Sequence, residues 1–385
     1  MRPASLSVSD DYDLAKELGL MPLYDTYPDV AVIGAGPAGA TAATLLARAG
    51  RRVVVFEKKH LGRDKICGGC LSGLAVEQVR EVLGEDAESI GYRSTRITFV
   101  VGRYRIPCRT TGQTRVVDRA ELDAELANAA GQAGADMHFE TAAALERDAS
   151  AWAVRINDAI CHPRWILLAT GLARLPRELG NTTPIERPLV GQQWLQQDEP
   201  GMPEPGEIEM HWLRRGYVGL ATLATGRTIV ALAAETAALS GSTPLVCLQR
   251  LNPDAEVFER LATNASQRSL TRGAAGFPWR PRCVGVDNLL LVGDAAGFEE
   301  PFSGEGIGQA MRSGRLAAEA IVREESTVER YTESMWAHAR TMRRTRLVGE
   351  LLRTELIHRL ASHRPVVPRM VLATIIRRMH IKGAR

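Results

Sequence analysis

The chain has 385 residues, of which 45% are hydrophobic and 24% are charged, and its formal net charge is +3. This length allows two packed lobes, and the composition is that of a globular protein rather than a disordered one. No apolar run approaches the ~20 residues that a membrane-spanning helix needs. The N-terminus lacks the apolar segment of a secretory signal, and six cysteines without a framework of close spacings suit a reducing compartment. We therefore expect a cytoplasmic protein.

A strand–helix–strand pattern follows an N-terminal extension of 28 residues. Residues 29–33 form a short apolar strand, and Gly-Ala-Gly-Pro-Ala-Gly follows at residues 34–39. An Ala/Leu-rich helix then ends at Gly50, and residues 52–56 form a second apolar strand that ends at Glu57. This order predicts a right-handed βαβ unit of a parallel sheet.

Farther along the chain the pattern becomes antiparallel. After a helix that ends at Gly134, "RWILLATG" at residues 164–171 predicts another buried strand. Three strand-like runs between about 207 and 234 are separated by short turns, which predicts an antiparallel meander. A further apolar strand lies in "DNLLLVGDAAG", and the sequence is helical from there to its end.

These elements predict an α/β fold (α+β overall) in which an antiparallel domain interrupts a parallel-sheet domain. The expected segments are 1–28 for the extension, 29–90, 115–171 and 281–325 for a discontinuous parallel-sheet domain, 91–114 and 172–280 for the antiparallel domain, and 326–385 for a basic helical region.

The glycine-rich turn at residues 34–39 is typical of a dinucleotide site, because it follows a strand and opens a helix. Gly34 permits a tight turn, Gly36 lets the backbone approach a pyrophosphate, and Gly39 lets helix and strand pack closely. The helix N-terminus directs N–H groups at the phosphates. Glu57 can accept hydrogen bonds from both hydroxyls of a ribose. Its position disfavours the alternative, a tight turn without a ligand.

A second pair of motifs follows the last apolar strand. Asp294, in Gly-Asp-Ala-Ala-Gly at residues 293–297, offers acceptor oxygens to a sugar-like polyol. The glycine-rich segment 301–308 then opens a helix whose N-terminus suits an electron-rich ring edge or developing negative charge. Two such helix N-termini with a carboxylate between them predict a long cofactor with two ends.

The segments "VIGAGPAGATAA", "DRAELDAEL", "LLATG" and "LLLVGDAAGFEEPFSGEGIGQAMRSG" together resemble the FAD-dependent oxidoreductases with the para-hydroxybenzoate hydroxylase fold, over roughly residues 29–325. Within them the chain looks most like the geranylgeranyl reductase-like branch, whose Lys-x-Cys-Gly-Gly loop matches residues 65–69. The resemblance implies a Rossmann-like FAD-binding domain with a parallel sheet, an inserted antiparallel substrate-binding sheet and C-terminal helices. It implies FAD as the cofactor, and no metal is expected.

The resemblance also implies the contacts to FAD. Residues 34–39 would hold the pyrophosphate, Glu57 the adenosine ribose and Asp294 the ribityl hydroxyls, with Arg119 near the phosphates and the ribityl chain. Residues 304–307 would direct N–H groups at the N1/O2 edge of the isoalloxazine. The implied cofactor-binding residues are Gly34, Gly36, Pro37, Ala38, Gly39, Glu57, Lys58, Lys65, Cys67, Gly68, Arg119, Gly171, Gly293, Asp294, Gly304, Gly306 and Ile307.

Two features depart from the family pattern. Thr170-Gly171 stands where many relatives have an Asp-Gly pair that is linked to FAD and reduced-nicotinamide handling. The external donor (NAD(P)H, reduced flavin or ferredoxin) therefore stays open. Where geranylgeranyl reductases have Tyr-x-Trp-x-Phe-Pro, this chain keeps Tyr217 but has Gly219 and Ala221 in place of bulky rings, which predicts a roomier or differently shaped pocket. The Trp-x-Trp-x-Ile segment of related halogenases does not occur in the sequence, which disfavours halogenation.

Cys67 and Cys70 have a spacing that occurs in dithiol centres, in zinc half-sites and in loops with another purpose. The other four cysteines are scattered singly, so the two further ligands of a zinc site are not evident. A working dithiol and a purely structural loop stay open. The resemblance favours a flavin-facing loop, in which Gly68 and Gly69 allow close backbone approach and Cys67 donates a proton or orients substrate.

The expected activity is that of an FAD-dependent oxidoreductase. The resemblance implies hydride transfer between N5 of the flavin and a carbon of a lipid or isoprenoid-like substrate. Transfer to the substrate would reduce a carbon–carbon double bond, and the reverse transfer would desaturate a single bond. In the reduction, an acid near Cys67 would protonate the other carbon. A lone histidine on the expected substrate sheet is more often a structural residue, so His211 and Tyr217 are kept only as further candidates for catalytic polar groups. The alternatives are a monooxygenase that hydroxylates an aromatic or polyketide-derived substrate through a C4a-hydroperoxyflavin, and a flavoprotein kept as a non-catalytic scaffold.

Residues 340–385 carry twelve Lys/Arg and two acidic side chains, interleaved with apolar residues. The region is interpreted as a solvated helical tail, a surface for anionic lipid headgroups, or a surface for an acidic carrier protein that holds the substrate. The expected partners are thus a hydrophobic small molecule and, through this region, a peripheral membrane or carrier contact. Nucleic acid is not expected, since no binding module accompanies the basic stretch.

Overall fold

The computed structural model describes residues 28–63, 65–110, 113–147, 151–172, 183–197, 200–262, 272–280, 284–297, 304–363 and 381–382. Nearly all of the expected N-terminal extension, the segment 298–303 with the first three residues of the second glycine-rich segment, and most of 364–385 lie outside this part of the chain.

The strands of the described residues are β1 Val30–Ile33, β2 Val53–Phe56, β3 Cys70–Leu71, β4 Tyr92–Arg93, β5 Arg96–Val101, β6 Tyr104–Thr110, β7 Arg115–Val116, β8 Asp136–His138, β9 Ala143–Arg147, β10 Trp152–Ile156, β11 Ala159–Cys161, β12 Trp165–Leu168, β13 Thr183–Gln196, β14 Glu207–Leu213, β15 Gly216–Thr222, β16 Thr228–Glu235, β17 Arg272–Arg280, β18 Gly285–Val286, β19 Leu289–Leu291 and β20 Ile381–Lys382. The helices are α1 Pro37–Arg48, α2 Gly73–Leu83, α3 Arg119–Gln132, α4 Pro244–Leu251, α5 Glu256–Ala262, α6 Gly306–Arg323, α7 Thr327–Leu352 and α8 Glu355–His363.

Six strands form a largely parallel sheet in the order β18-β19-β12-β1-β2-β8. β1 pairs in parallel with β2 and β12, and β12 pairs in parallel with β19, whereas β18 runs antiparallel at the edge. The strand sequences VAVI and VVVF are buried along their whole length, as strands covered on both faces must be. The carboxyl ends of β1, β2, β12 and β19 therefore share one edge, where ligands bind in such sheets.

Helices α1 and α6 pack against this sheet and against each other. α1 begins at Pro37, whose fixed φ and missing N–H suit the first helical position. A Cβ at Gly314 of α6 would lie 2.2 Å from the carbonyl oxygen of Ala38, so glycine is required where the two helices cross. This close approach brings the N-termini of both helices towards the same edge of the sheet.

Eight strands form the second sheet, in the order β17-β13-β16-β15-β14-β5-β6-β20. The expected meander corresponds to β14, β15 and β16, which pair antiparallel. β14 also pairs in parallel with β5, so the sheet is not purely antiparallel. Two small sheets, β11-β10-β9 and β3-β7-β4, lie beside these layers.

The C-terminal region differs in one respect from the expectation of helices to the end of the chain. Ile381–Lys382 form strand β20, with Ile381 opposite Thr110 of β6. The expectation is wrong for these two residues because an edge strand such as β6 exposes backbone N–H and C=O groups that another strand can satisfy. Periodicity along the sequence does not reveal that opportunity.

Helix α7 connects the two sheets. Near its start, the Tyr331 hydroxyl donates a 2.5 Å hydrogen bond to the Leu291 carbonyl oxygen at the end of β19. Near its end, Val348 and Leu352 pack into the core of the eight-stranded sheet, where Ile357 of α8 joins them. Among the described residues, no helix is both long and apolar enough to cross a membrane.

Candidate active site

A cavity of about 840 Å³ lies between the carboxyl edge of the six-stranded sheet and one face of the eight-stranded sheet. It brings together most of the residues that the sequence singled out. Those that line it are Gly34, Gly36, Pro37, Ala38, Glu57, Lys58, Lys65, Cys67, Gly68, Arg119, Gly171, Tyr217, Gly293, Asp294, Gly304, Gly306 and Ile307. Gly39 and His211 do not line it.

The turn between β1 and α1 requires glycine for steric reasons. Gly34 has a φ of +108°, and a Cβ there would lie 2.4 Å from the Ala169 carbonyl oxygen. A Cβ at Gly39 would lie 1.9 Å from the carbonyl oxygen of Gly34, so Gly39 acts beneath the cavity by letting the helix start close to the strand. Gly36 faces the cavity, and the nearest atom to a Cβ there would be Lys65 Nζ, at 3.3 Å.

Glu57, at the end of β2, is fixed by its neighbours' backbone. Its Oε2 accepts a 3.1 Å hydrogen bond from the Ala35 N–H, and its Oε1 accepts one of 3.1 Å from the Lys59 N–H. These bonds hold the carboxylate beside the glycine turn. Its remaining acceptor capacity suits a pair of vicinal hydroxyls.

Two cations share one buried carboxylate on the cavity wall. Lys65 Nζ lies 2.7 Å from Asp123 Oδ2, and Arg119 donates two 3.0 Å hydrogen bonds to the same carboxylate. Burial acts to raise the pKa of Asp123, but Arg119 and Lys65 outweigh it and lower that pKa. The cluster therefore carries a net positive charge next to Gly36, which suits a pyrophosphate.

Asp294 follows β19 on a short turn. Gly293 adopts a φ of +64°, and its N–H donates a 2.7 Å hydrogen bond to Ser313 Oγ of α6. Burial raises the pKa of Asp294 to about 6, although Arg119 and Lys65 act in the opposite direction. The ionised carboxylate is thus poorly solvated in the cavity, which costs free energy. Hydrogen bonds from the hydroxyl groups of a ligand would offset that cost.

The start of α6 closes the far end of the cavity. Gly304 has a φ of +67°, and a Cβ there would lie 3.0 Å from Cys70 Sγ. Gly306 is the first residue of the helix, and the side chain of Ile307 is buried. Cys70 therefore packs against the loop that presents the α6 N-terminus, a contact that the sequence did not predict.

The loop that carries Cys67 is held between the two sheets. The Cys67 N–H donates a 2.6 Å hydrogen bond to Gln193 Oε1 of β13, and Cys67 Sγ accepts a 3.4 Å bond from the Gly69 N–H. Gly69 adopts a φ of +67°, and a Cβ there would lie 2.3 Å from Ile229 Cδ1. A Cβ at Gly68 would meet open space. The backbone of this loop can thus approach a ligand closely.

The thiol of Cys70 is buried beside the cavity wall. Burial, with a smaller effect of the neighbouring Cys67, raises the pKa of Cys70 to about 12. Both cysteines are free in the structure. A thiol with so high a pKa is a poor nucleophile at neutral pH, which disfavours a working dithiol. Among the described residues, no group of His, Cys, Asp or Glu side chains could hold a metal ion.

The eight-stranded sheet supplies the other wall of the cavity. On its cavity face, Met210 and Gly219 are directly opposite each other, and Gly219 is opposite Ala231 on the next strand. A Cβ at Gly219 would meet Ala231 and Met210 atoms only at 3.6 Å, so a side chain there would project into free space. Gly219 thus leaves the centre of this wall open, whereas Ala221, the other small residue that stands in place of a bulky ring, does not line the cavity.

Tyr217 and His211 lie on opposite sides of this sheet. Tyr217 lines the cavity, and its ring lies 5.8 Å from that of Trp212. His211 is buried on the other face, where its ring bonds to Glu209 at 2.9 Å. The interpretation of His211 as a pocket group is therefore wrong, because side chains alternate along β14 and position 211 points away from the cavity.

Several residues of the cavity were not identified from the sequence. Ile97, Phe99 and Met210 form an apolar wall of the cavity. Gln193, which does not itself line the cavity, bonds to the Cys67 loop. Alternation along each strand would have indicated which side chains share a face. It could not indicate which face is turned towards the dinucleotide turn.

The cavity has the parts that FAD requires. The N-termini of α1 and α6 both face it, and Glu57 and Asp294 offer acceptors near the ends of two parallel strands. The positive cluster of Lys65 and Arg119 lines the same cavity as these two carboxylates. These residues fit a dinucleotide that extends from the glycine turn to the start of α6.

Comparison with known proteins agrees with this assignment. Residues 27–160 match the family model described as an FAD binding domain. A menaquinone reductase of Mycobacterium tuberculosis is 30% identical over 339 residues, with 77% of each chain covered. A geranylgeranyl diphosphate reductase of Rhodobacter capsulatus is 28% identical, with 76% of this chain and 75% of that protein covered.

One curated relative is much longer. The chain spans 63% of the length of conditioned medium factor receptor 1 from Dictyostelium discoideum, at 26% identity over 76% of this chain. Among solved structures, a geranylgeranyl bacteriochlorophyll reductase-like protein from Thermoplasma acidophilum superposes with a TM-score of 0.71. It is 19% identical and covers 91% of this chain and 95% of that one.

The glycine turn, the two carboxylates and the level of identity to these reductases lead to one conclusion. The chain is an enzyme of the FAD-dependent oxidoreductases with the para-hydroxybenzoate hydroxylase fold, and within them it belongs to the geranylgeranyl reductase-like branch.

Proposed function

We propose that this oxidoreductase reduces a carbon–carbon double bond in a hydrophobic, lipid or isoprenoid-like substrate. The observation that carries the proposal is the wall that the eight-stranded sheet gives to the cavity. Among the described residues of this sheet that line the cavity, no side chain is charged, and Ile97, Phe99, Ile208 and Met210 make one side apolar. Such a wall favours an apolar chain over a charged substrate.

The names of two relatives support the same substrate class and the same direction of reaction. One is a menaquinone reductase and the other a geranylgeranyl diphosphate reductase, so both are named as reductases of lipid-like compounds. The proposal takes the substrate class from these names and the apolar wall together. The physiological electron donor stays open.

Bound reduced FAD would supply a hydride to one carbon of the double bond. The chain must then orient that bond and deliver a proton to the other carbon. Cys67 is the residue whose Sγ we assign to the proton, because it lines the cavity and its Sγ accepts a hydrogen bond from the Gly69 N–H. Its own backbone N–H donates to Gln193 Oε1, which fixes the loop. Hydride and proton together add two hydrogen atoms across the bond.

The experiment uses the FAD-loaded enzyme, reduced under anaerobic conditions and mixed with geranylgeranyl diphosphate, which has no quinone ring that could accept the electrons instead. The expected result is oxidation of the flavin without oxygen and a product heavier by two hydrogen atoms, seen by mass spectrometry. A product that forms only with oxygen and carries an added oxygen atom would overturn the proposal in favour of a monooxygenase.

The role of Cys67 has its own test. Cys67→Ala should lower the rate of substrate-dependent flavin oxidation by roughly 10²- to 10⁴-fold, the usual contribution of a general acid. The flavin spectrum and FAD affinity should change little. Cys161→Ala is the matched control, because Cys161 is buried in the small sheet β11-β10-β9 and does not line the cavity. Equal rates for the two variants would remove Cys67 from the mechanism.

A further inference from the structure

The corner between α7 and α8 exposes three leucines. Leu347 and Leu351 in the last turns of α7 are 50% and 41% exposed, and Leu356 at the start of α8 is 60% exposed. Of the nine large hydrophobic side chains exposed in the described residues, these three lie within ten residues of one another. We call this surface the leucine face. Such a concentration marks a surface that contacts something apolar.

The leucine face is held outward by its inner neighbours. Each exposed leucine is followed by an apolar residue that packs inward, and these are Val348, Leu352 and Ile357. The inner residues belong to the same cluster as Phe99 and Met210, which line the cavity. The inner side of the corner therefore packs against the core behind the apolar wall of the cavity, and its outer side exposes the three leucines.

Basic residues accompany the leucine face along both helices. Arg340 is exposed seven residues before Leu347, so helical spacing puts the two on one side of α7. Arg359 of α8 is 76% exposed. The sequence adds Arg343, Arg344 and Arg346 to the same helix.

Two acidic residues lie within the leucine face in sequence, Glu350 and Glu355, and Glu355 is already paired. Glu355 lies 3.4 Å from Arg214 and 3.5 Å from Arg359, so two cations face one carboxylate. Arg214 belongs to the β14–β15 turn, which is fixed to the corner by a hydrogen bond from the Arg215 N–H to the Arg353 carbonyl oxygen. Residues 340–363 carry six arginines against these two acidic residues, so the balance of charge around the leucines is positive.

We infer that the leucine face docks on an anionic lipid bilayer. Exposed leucines can insert at the boundary between headgroups and acyl chains, while neighbouring arginines are attracted to anionic headgroups. An acidic protein would satisfy the arginines, but three half-exposed leucines favour an apolar medium. The biological purpose of docking rests on the proposed function. Docking would bring the apolar wall of the cavity next to the membrane that holds a hydrophobic substrate.

The test is co-sedimentation of the full-length, FAD-loaded protein with vesicles. Phosphatidylcholine vesicles are compared with vesicles that also contain phosphatidylglycerol. The protein should bind the anionic vesicles preferentially, and added salt should weaken the binding. The double variant Leu351→Ser/Leu356→Ser should partition about tenfold less strongly for each leucine removed. Leu74→Ser is the matched control, because Leu74 is 43% exposed on α2, outside the leucine face.

Two outcomes would overturn the inference. One is equal binding of anionic vesicles by the double variant and by the wild type. The other is failure of the wild type to bind either vesicle while it binds an acidic carrier protein. Unchanged flavin absorbance and an unchanged melting temperature show that the variants are folded. Since the measurement needs no turnover, docking can fail while the proposed reaction stands, and the reaction can fail while docking stands.

Discussion

The substitution Asp294→Asn separates the cost of a buried carboxylate from its use in binding FAD. The pKa of Asp294 is raised from 3.8 to about 6 because burial disfavours its charged form. At 1.36 kcal/mol for each pKa unit, the ionised carboxylate costs the folded, FAD-free protein about 2 to 3 kcal/mol. The amide has nearly the same shape and no charge. We therefore expect the FAD-free variant to be more stable than the wild type by about that amount near neutral pH.

The pH dependence fixes the sign of this effect. A carboxyl group whose pKa is raised in the folded state destabilises that state fully above about pH 6, and the cost disappears as the pH falls through 3.8. The advantage of the variant should thus be largest at about pH 8 and roughly half as large at about pH 5. Urea unfolding of the FAD-free proteins at both pH values measures it.

FAD binding should change in the opposite direction. Loss of charge-assisted hydrogen bonds to ribityl hydroxyls should weaken FAD binding by roughly 10- to 100-fold, measured by quenching of flavin fluorescence. Asp287→Asn is the control, because Asp287 lies at the surface paired with Arg147 at 2.6 Å, and its loss should change stability by less than about 1 kcal/mol. A variant at position 294 that is no more stable than the wild type at about pH 8 would refute the reasoning.

Three further substitutions test other parts of the structure. Asp123→Asn should destabilise the protein by about 3–5 kcal/mol in urea unfolding and weaken FAD binding, since it leaves the cations of Lys65 and Arg119 without their shared carboxylate. An unchanged unfolding midpoint would contradict this. Burial acts to raise the pKa of Glu209, but its partners on the outer face of the sheet outweigh burial and lower that pKa to about 2. Its stabilisation is therefore present above pH 4.5 and lost as the pH falls through about 2, so Glu209→Gln should cost about 2–3 kcal/mol at neutral pH and reduce the acid sensitivity. FAD affinity should not change, and a weaker affinity would mean that the network reaches the cavity. Gly219→Phe should fill the open centre of the apolar wall, so the Kd of a bulky substrate should rise at least about tenfold while the Kd of FAD stays constant. A substrate Kd that does not move would place the substrate elsewhere in the cavity.

The outer face of the eight-stranded sheet decides between the two interpretations of His211. From the sequence, a structural role is the more common one for a lone histidine on a strand, and a catalytic role is kept as a candidate. In the structure its ring bonds to Glu209, which also binds Arg260 at 2.7 Å and Arg105 at 2.5 Å. Burial lowers the pKa of His211 although Glu209 acts to raise it. The group therefore belongs to a network that holds α5 on the sheet.

The cofactor and the fold class could be predicted from the sequence because their signals are local. The strand VAVI, the glycine turn, Pro37 and Glu57 lie within 28 residues, so a few backbone constraints decide their geometry. The resemblance to geranylgeranyl reductase-like enzymes and the requirement for FAD are confirmed by the relatives that match. The assignment of individual residues to parts of FAD remains a prediction that the cavity accommodates.

The sequence by itself determined the βαβ unit and the second glycine-rich helix start, because each depends on neighbours along the chain. It also shows directly that positions 219 and 221 carry small residues in place of bulky rings. Only the tertiary structure decided which face of the eight-stranded sheet meets the cofactor, how Gln193 reaches the Cys67 loop and why Cys70 lies against Gly304. The physical reason is sequence separation. Contacts between residues more than a hundred positions apart depend on how the two sheets pack, and strand periodicity alone leaves that packing open.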